Sequence, residues 1–134
     1  MADGPWFTTD ELDYLRSQRL GRLATVDRHR RPQNSPVGYF VDGPGRRVLI
    51  GGRALAATRK FRNVQANPEV ALVIDDIASF DPWVVRGIEL RGPAEALDDV
   101  DPPRPGMSRE LIRITPRWIA SWGITPGAGM QSRT

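Results

Sequence analysis

The stretch LAATRKFRNVQANP, residues 55–68, predicts a short helix between two apolar strands. Thr58 can cap the start of this helix, because a threonine hydroxyl accepts a hydrogen bond from a free N–H group of the first turn. Asn67 precedes a proline, and the residue before a proline disfavours helical backbone, so we expect the helix to end by about Ala66. The helix therefore falls between the third and the fourth predicted strands.

The first turn of this helix has an unusual charge. Arg59 and Lys60 occupy it, although the helix dipole disfavours a cation there by up to ~1 kcal/mol. Lys60 is also the only lysine, since every other basic side chain is an arginine. A bound phosphate or carboxylate would explain two adjacent cations at this position, and Arg53 is near enough in sequence to join them. The alternative is that both side chains point into water, which screens the unfavourable interaction.

Strands are predicted on both sides of the helix, where apolar residues recur at every second position. Turns separate the first three strands, as in an antiparallel meander. Strands this short leave the faces of an open sheet uncovered. We therefore expect a mainly β (α+β) protein, with about six antiparallel strands closed into a small barrel and two or more helices. The expected strands are 22–26, 33–41, 46–52, 69–75, 82–97 and 109–124.

Two further positions predict local structure. Thr8 followed by Glu11 is a capping box at the start of another helix, and Gly21 is suited to end that helix about three turns later. Pro36 lies within the second strand, where its ring removes one donor from the hydrogen-bond ladder. We therefore expect that strand to be bulged or to lie at an edge.

The length and the composition indicate one ordinary domain. The chain has 134 residues, 40% of them hydrophobic and 26% charged. We expect residues 1–124 to form a single domain, followed by a flexible tail of small and polar residues at 125–134. With no cysteine, and with His29 as the one histidine in a polar turn, we expect no disulfide, no thiol nucleophile and no metal site.

The same features limit the expected partners and location. No apolar run approaches the ~18 residues of a membrane span, and the first residues lack the pattern of a signal peptide, so we expect a cytoplasmic protein without a membrane partner. The net charge is +3, but the arginines are spread along the chain without an aromatic-and-basic motif. We therefore expect no nucleic-acid partner.

Several motifs resemble those of a known family. One is the Thr-Arg-Lys helix start followed by NVQANPEVALVI (63–74), and the others are LGRLATVD (20–27), RRPQNSPVGYFVD (30–42), DPWVVRGIELRGPAEAL (81–97) and IRITPRWIASWGI (112–124). Together they resemble the pyridoxamine 5′-phosphate oxidase-like flavoprotein superfamily. Within it, they are similar to the deazaflavin-dependent oxidoreductase branch of actinobacteria.

The resemblance implies an FMN-binding-type split β-barrel that forms a homodimer, with two cofactors near the interface. Members of the branch bind coenzyme F420, a deazaflavin with a phosphate and an oligoglutamate tail, and relatives bind FMN. By resemblance, Thr58, Arg59 and Lys60 hold the cofactor phosphate, Arg53 adds a contact, and the tricyclic ring lies along two strands. Trp118 is the aromatic residue best placed to reach the cofactor, unless it serves the core or the dimer interface. The strand residues implied are Asn34, Ser35, Pro36, Val37 and Gly51.

The function that the resemblance implies is an oxidoreductase that reduces a small unsaturated or conjugated substrate by hydride transfer from reduced F420. The cofactor carries this chemistry, so no acid–base dyad is needed, and the sequence identifies no catalytic residue. Two alternatives remain. One is an FMN-binding flavin reductase or oxidase of the same fold, and the other is a cofactor-binding protein without catalytic activity.

Overall fold

The computed structural model of the chain describes residues 4–42 and 45–134. These residues form two α-helices, nine strands and one 3₁₀ turn at Leu55–Ala57. The predicted turn at 42–45 falls partly outside them. The helices are α1 (Thr9–Ser17) and α2 (Arg59–Ala66), and the strands are β1 (Leu20–Val26), β2 (Pro32–Gly38), β3 (Phe40–Val41), β4 (Val48–Ile50), β5 (Glu69–Phe80), β6 (Trp83–Leu97), β7 (Leu111–Ile114), β8 (Trp118–Trp122) and β9 (Gln131–Arg133).

The capping box at the start of α1 is confirmed. The Thr8 hydroxyl accepts a hydrogen bond from the Glu11 backbone N–H at 3.1 Å, and the Glu11 carboxylate accepts one from the Thr8 N–H at 2.9 Å. The prediction that Gly21 ends this helix is wrong, because α1 ends at Ser17 and Gly21 lies in β1. A Cβ at Gly21 would lie 3.0 Å from the Ile74 side chain, so the glycine allows close packing between strands.

The strands confirm the predicted split β-barrel. They follow one antiparallel path in the order β2–β1–β5–β6–β7–β4–β3. Only Tyr39 separates β2 from β3 in the chain, so the path returns to the strand where it begins. With β2 and β3 counted as one bent strand, this path has the six strands that the sequence predicts. Pro36 lies in β2, at one end of the hydrogen-bonded path, as expected for an edge strand.

The predicted last strand, 109–124, is two strands that pair with different halves of β6. β7 pairs with Ala94–Leu97, whereas β8 pairs with Gly87–Arg91. Gly92 lies between the two registers, and a Cβ there would be 2.3 Å from the Thr115 carbonyl oxygen. The chain thus crosses β6 so closely that only a glycine fits, and this crossing divides the predicted strand.

We expect Gly92→Ala to lower the free energy of unfolding by about 2 kcal/mol, because the new methyl group would overlap backbone atoms that cannot move independently. Besides the Thr115 oxygen, the Arg117 backbone nitrogen lies 2.8 Å from the Cβ position. Gly129→Ala is the matched control, since its Cβ would meet no atom within 4 Å. Denaturant midpoints of the two variants check this prediction, and equal midpoints would contradict it.

The C-terminal residues are more ordered than the sequence predicts. In place of the flexible tail predicted for 125–134, the structure has β9, which pairs with β8. The Arg133 side chain contacts the Glu11 carboxylate and donates from Nε to the Trp6 carbonyl oxygen at 3.1 Å. The tail prediction is therefore wrong for β9, which packs on the domain that we predicted to end at residue 124.

The core fills the barrel, and both helices contribute to it. Tyr14 and Leu15 of α1 and Phe61 and Val64 of α2 are buried with the inward-facing side chains of the strands. Each helix therefore covers part of the barrel with one apolar stripe. None of the described helices is long and apolar enough to cross a membrane.

Candidate functional site

The start of α2 has the geometry that the sequence predicts. Thr58 is the N-cap, and its hydroxyl accepts a hydrogen bond from the Phe61 N–H at 3.4 Å. The same hydroxyl donates to the Leu55 carbonyl oxygen at 2.6 Å, which joins the 3₁₀ turn directly to the helix. The first turn contains no acidic residue, so the charges of Arg59 and Lys60 are not neutralised within the helix.

The cations around this helix start lack acidic partners. Among the ion pairs of residues 4–42 and 45–134, none includes Arg53, Arg59 or Lys60. Seven arginines outside this region do form ion pairs in the described structure, as Arg86 does with Asp76. Arg53 lies two residues before the 3₁₀ turn that leads into α2. We call the segment from Arg53 to Lys60 the basic corner.

A buried side chain of α2, that of Asn63, connects the helix of the basic corner to β2. Asn63 is 5% exposed, and its side-chain amide donates to the Thr25 hydroxyl at 3.0 Å and to the Gln33 side-chain oxygen at 3.3 Å. Gln33 directly precedes Asn34, the first of the predicted ring-contacting residues. A buried amide with satisfied partners fixes the position of the helix more firmly than apolar contact alone. Asn63 is not among the site residues predicted from the sequence. The only sequence signal for it is its position in the motif NVQANP.

The predicted residues of β2 differ in what they offer to a ligand. Asn34 and Pro36 are exposed, whereas the Val37 side chain is 6% exposed and belongs to the core. Val37 can therefore reach a ligand only through its backbone. The Ser35 hydroxyl oxygen is buried and has no hydrogen-bond partner. Such a group is rare in folded proteins. It lies on the same face of β2 as Val37, because side chains alternate along a strand.

A groove of about 600 Å³ opens where β3 and β4 separate. The ladder between these strands pairs Phe40 with Leu49, and its continuation would set Gly38 opposite Gly51. No such pair forms, and both glycines line the groove instead. We call it the main groove. The C-terminal end of α1, residues 38–41, Gly51, Arg104 and Met107 line it.

The proline-rich segment 98–108 covers one side of the main groove, a role that sequence reasoning missed. The Ser108 N–H donates to the Gly52 carbonyl oxygen at 2.8 Å, and its hydroxyl accepts from the Leu55 N–H at 3.1 Å. The Met107 sulfur lies 3.1 Å from the Cβ position of Gly51. A smaller groove of about 420 Å³ on the other side of this loop includes Arg53 and shares Arg104 and Met107 with the main groove. The loop therefore links the main groove to the basic corner.

Tyr39 lines the main groove but is not free to donate a proton. Its hydroxyl already donates to the Leu15 carbonyl oxygen at 2.6 Å. Burial raises the pKa of Tyr39 to about 12, so the phenol remains protonated at neutral pH. Tyr39 thus acts as a fixed, neutral wall that ties β2 and β3 to α1.

Trp118 lies apart from this site in a single chain. It is on β8, where the Arg91 guanidinium carbon is 4.3 Å from its ring centroid. It is not among the residues that line the main groove or the smaller groove. Its contact with a cofactor stays a prediction, which requires a second copy of the chain.

The described part of the chain contains no group of three or more metal-ligating side chains. His29 is exposed in the turn between β1 and β2, where its ring accepts a hydrogen bond from Arg28 at 3.3 Å. The residues available for chemistry are therefore cations, hydroxyls and backbone groups.

Comparison with known proteins identifies the family of this chain. Residues 8–127 match the family described as pyridoxamine 5′-phosphate oxidase. The chain belongs to this family. It is also 46% identical, over 119 residues, to the 5a,11a-dehydrotetracycline/5a,11a-dehydrooxytetracycline reductase of Streptomyces rimosus, and the match covers 88% of this chain and 84% of the reductase. Membership and this relative make the protein an oxidoreductase of the pyridoxamine 5′-phosphate oxidase family.

Solved structures show the same fold at lower identity. A conserved hypothetical protein from Mycobacterium tuberculosis aligns with a TM-score of 0.69 and 20% identity, over 92% of this chain and 88% of its own. A heme binding protein from Mycobacterium smegmatis aligns with a TM-score of 0.66 and 18% identity, over 89% of this chain and 54% of its own. The likeness to these structures concerns the split barrel alone.

Proposed function

We propose that this member of the family is a reductase that uses coenzyme F420 as its cofactor. The observation that carries the proposal is the basic corner, where Arg53, Arg59 and Lys60 lack acidic partners beside the N-cap hydroxyl of Thr58. Free cations and N–H groups at a helix start are suited to a phosphate.

The residues present fit a flat cofactor that carries a phosphate. Thr58, Arg59 and Lys60 would hold the phosphate. The backbone of β2 would meet the polar edge of the ring. Gly51 has no side chain that would obstruct the same opening. When bound, the reduced deazaflavin supplies a hydride to an electron-poor double bond.

The protein's own part in this reaction is to position the substrate. In the substrate, the hydride forms a C–H bond at the far carbon of the conjugated double bond. The π bond there breaks, and the negative charge moves through the conjugated system to the carbonyl oxygen, which gives an enolate. Water then donates a proton to the resulting enolate, because the Tyr39 hydroxyl is held by Leu15. Cations beside the groove stabilise the negative charge that develops on oxygen.

The proposed substrate class is a fused-ring conjugated ketone. The reductase of Streptomyces rimosus is named for 5a,11a-dehydrotetracycline, which belongs to this class, and it is 46% identical to this chain. The main groove, at about 600 Å³, is within the usual size of ligand pockets, roughly 300–1,000 Å³. A groove of this size accepts several fused rings.

FMN is the second candidate, because the basic corner would hold its phosphate equally well. Heme is less suitable, since the main groove has no histidine among its lining residues and His29 lies in an exposed turn. FMN and F420 differ in the tail beyond the phosphate, in the ring atom at position 5 and in the substituents of the ring. The choice between them therefore needs a direct measurement.

We expect purified protein to bind F420 with a Kd of about 1 µM or tighter and FMN at least about tenfold more weakly. Tryptophan fluorescence titration with each cofactor checks this. Reduced F420 should then be oxidised when 5a,11a-dehydrotetracycline is added, which the returning absorbance of the oxidised deazaflavin reports. Preference for FMN would assign the protein to the flavin branch, and binding of neither would refute the proposed function.

We also propose that the protein acts as a homodimer, with the cofactor near the interface. Support comes from the tip of the β5–β6 hairpin, where Phe80 is 74% and Trp83 63% exposed, with ring centroids 5.9 Å apart. Large exposed apolar side chains in one place are typical of interaction surfaces. Sedimentation of the purified protein would give a monomer mass if this proposal is wrong.

A further inference from the structure

The main groove carries more positive charge than its position requires. Arg16, Arg19 and Arg104 line it, and no acidic residue does. None of the three takes part in an ion pair of the described residues. Arg16 lies in the last turn of α1, where the helix dipole favours a cation. That explanation does not extend to Arg104, which is on a loop.

Arg104 is held in a defined place in the groove. Its guanidinium carbon is 4.9 Å from the ring centroid of Phe40, which also lines the groove. The Arg104 carbonyl oxygen accepts from the Met107 N–H at 3.3 Å, and the next residue, Ser108, is bonded to Gly52. A guanidinium packed against an aromatic ring keeps the N–H donors around its own edge free for a second partner.

We propose that the main groove selects a planar organic anion, with Arg104 against its ionised oxygen and the Phe40 ring beside its carbon skeleton. The substrate is then a fused-ring conjugated ketone that carries an ionised enol or phenol. The inference rests on the proposed function for the reaction, but not for binding. Three cations without an acidic neighbour make an uncharged ligand a poor match, since a charge-assisted hydrogen bond is roughly twice as strong as a neutral one.

Two probes of nearly the same size separate charge from shape. Lawsone (2-hydroxy-1,4-naphthoquinone) is an anion at neutral pH, whereas menadione (2-methyl-1,4-naphthoquinone) is neutral. Equilibrium dialysis of the full chain without cofactor gives a Kd for each. We expect lawsone to bind at least about tenfold more tightly than menadione, as one charge-assisted contact provides. Equal affinities would overturn the proposal.

Three variants locate the preference. Arg104→Gln should abolish most of it, whereas Arg28→Gln, in the exposed turn between β1 and β2, is the matched control and should retain it. Lys60→Ala should also retain it, because the anion binds in the main groove and not at the basic corner. If the preference for lawsone over menadione persists in Arg104→Gln, or disappears in Lys60→Ala, Arg104 is not the residue that selects the anion.

These measurements are independent of the cofactor. If lawsone preference depends on Arg104 but neither F420 nor FMN binds, the anion groove stands and the proposed reductase function fails. If F420 binds and its reduced form is oxidised by the substrate, while lawsone and menadione bind equally, the proposed reductase function stands and the proposal of an anion groove fails. Thermal midpoints of the variants show that each is folded under the conditions of dialysis.

Discussion

Replacing both Arg59 and Lys60 with alanine is expected to weaken F420 binding by roughly a hundredfold or more, since a hydrogen bond to a charged group contributes about 1.5–3 kcal/mol. Both cations lie in the first turn of α2, and neither has an acidic partner in the described structure. FMN should lose affinity in parallel, because the phosphate is common to both cofactors. Fluorescence titration of the double variant measures each loss.

The same substitution should not destabilise the chain without cofactor. Cations at a helix N-terminus oppose the dipole, so their removal should raise the thermal midpoint slightly or leave it unchanged. Retention of stability separates loss of a binding contact from loss of the fold. The control is the double variant Arg28→Ala and Arg31→Ala, which removes the same charge from an exposed turn. Equal F420 affinity in the two double variants would exclude the basic corner as the phosphate site.

The expected loss of cofactor affinity and the expected retention of stability have one physical explanation. Two charges that reduce the stability of an isolated helix persist when they serve a ligand, as is common where function and stability conflict. Lys60 and Arg59 also differ in what they offer. A lysine ammonium is a compact charge with three donors, whereas arginine presents a planar fork. A chain that otherwise uses arginine therefore places different cation geometries side by side at the basic corner.

The sequence predicted what depends on neighbouring residues. Thr8 with Glu11 marked the start of α1, and Thr58 and Asn67 marked the two ends of α2, because caps and proline effects act within one turn. The period of two located most of the strands. The candidate residues on β2 and at the start of α2 came from the resemblance of local motifs, and the structure places them on elements that Asn63 ties together.

What the sequence did not predict depends on distant contacts. The division of segment 109–124 arises where it crosses Gly92, and a lone glycine in a strand does not reveal which chain segment lies above it. The loop 98–108 enters the site through Ser108 and Gly52, which are far apart in sequence. β9 forms because β8 offers an open edge to a short polar segment that has no apolar pattern of its own.

The ion pair between Arg133 of β9 and Glu11 of α1 gives the second large expected effect, which is on the free energy of unfolding. The Glu11 side chain is fully buried, and Arg133, which is 29% exposed, provides its opposite charge. The carboxylate also accepts from the Thr8 N–H at 2.9 Å and from the Ser121 hydroxyl at 2.7 Å. Burial raises the pKa of Glu11, but the bonds from Arg133, Thr8 and Ser121 outweigh it and hold this pKa below the ordinary 4.5.

We expect Arg133→Ala to lower the free energy of unfolding by about 3 kcal/mol at neutral pH, because it leaves a buried carboxylate without its cation. In the wild type, the depressed pKa of Glu11 means that its contribution is present above pH 4.5 and is lost as the pH falls through the folded-state value. In the variant, burial raises the pKa of Glu11, and the protonated carboxyl needs no cation. The stability gap between the two proteins should therefore narrow in acid.

Denaturant midpoints of wild type and Arg133→Ala at neutral pH and near the ordinary pKa of Glu11 measure this gap. Arg117→Ala is the control, since it breaks an ion pair with Glu69 in which both side chains are more than half exposed, where water screens the attraction. Its midpoint should change little at either pH. A gap for Arg133→Ala that stays constant with pH would instead assign the loss to the pairing of β9, because strand pairing does not depend on whether the Glu11 carboxyl is ionised.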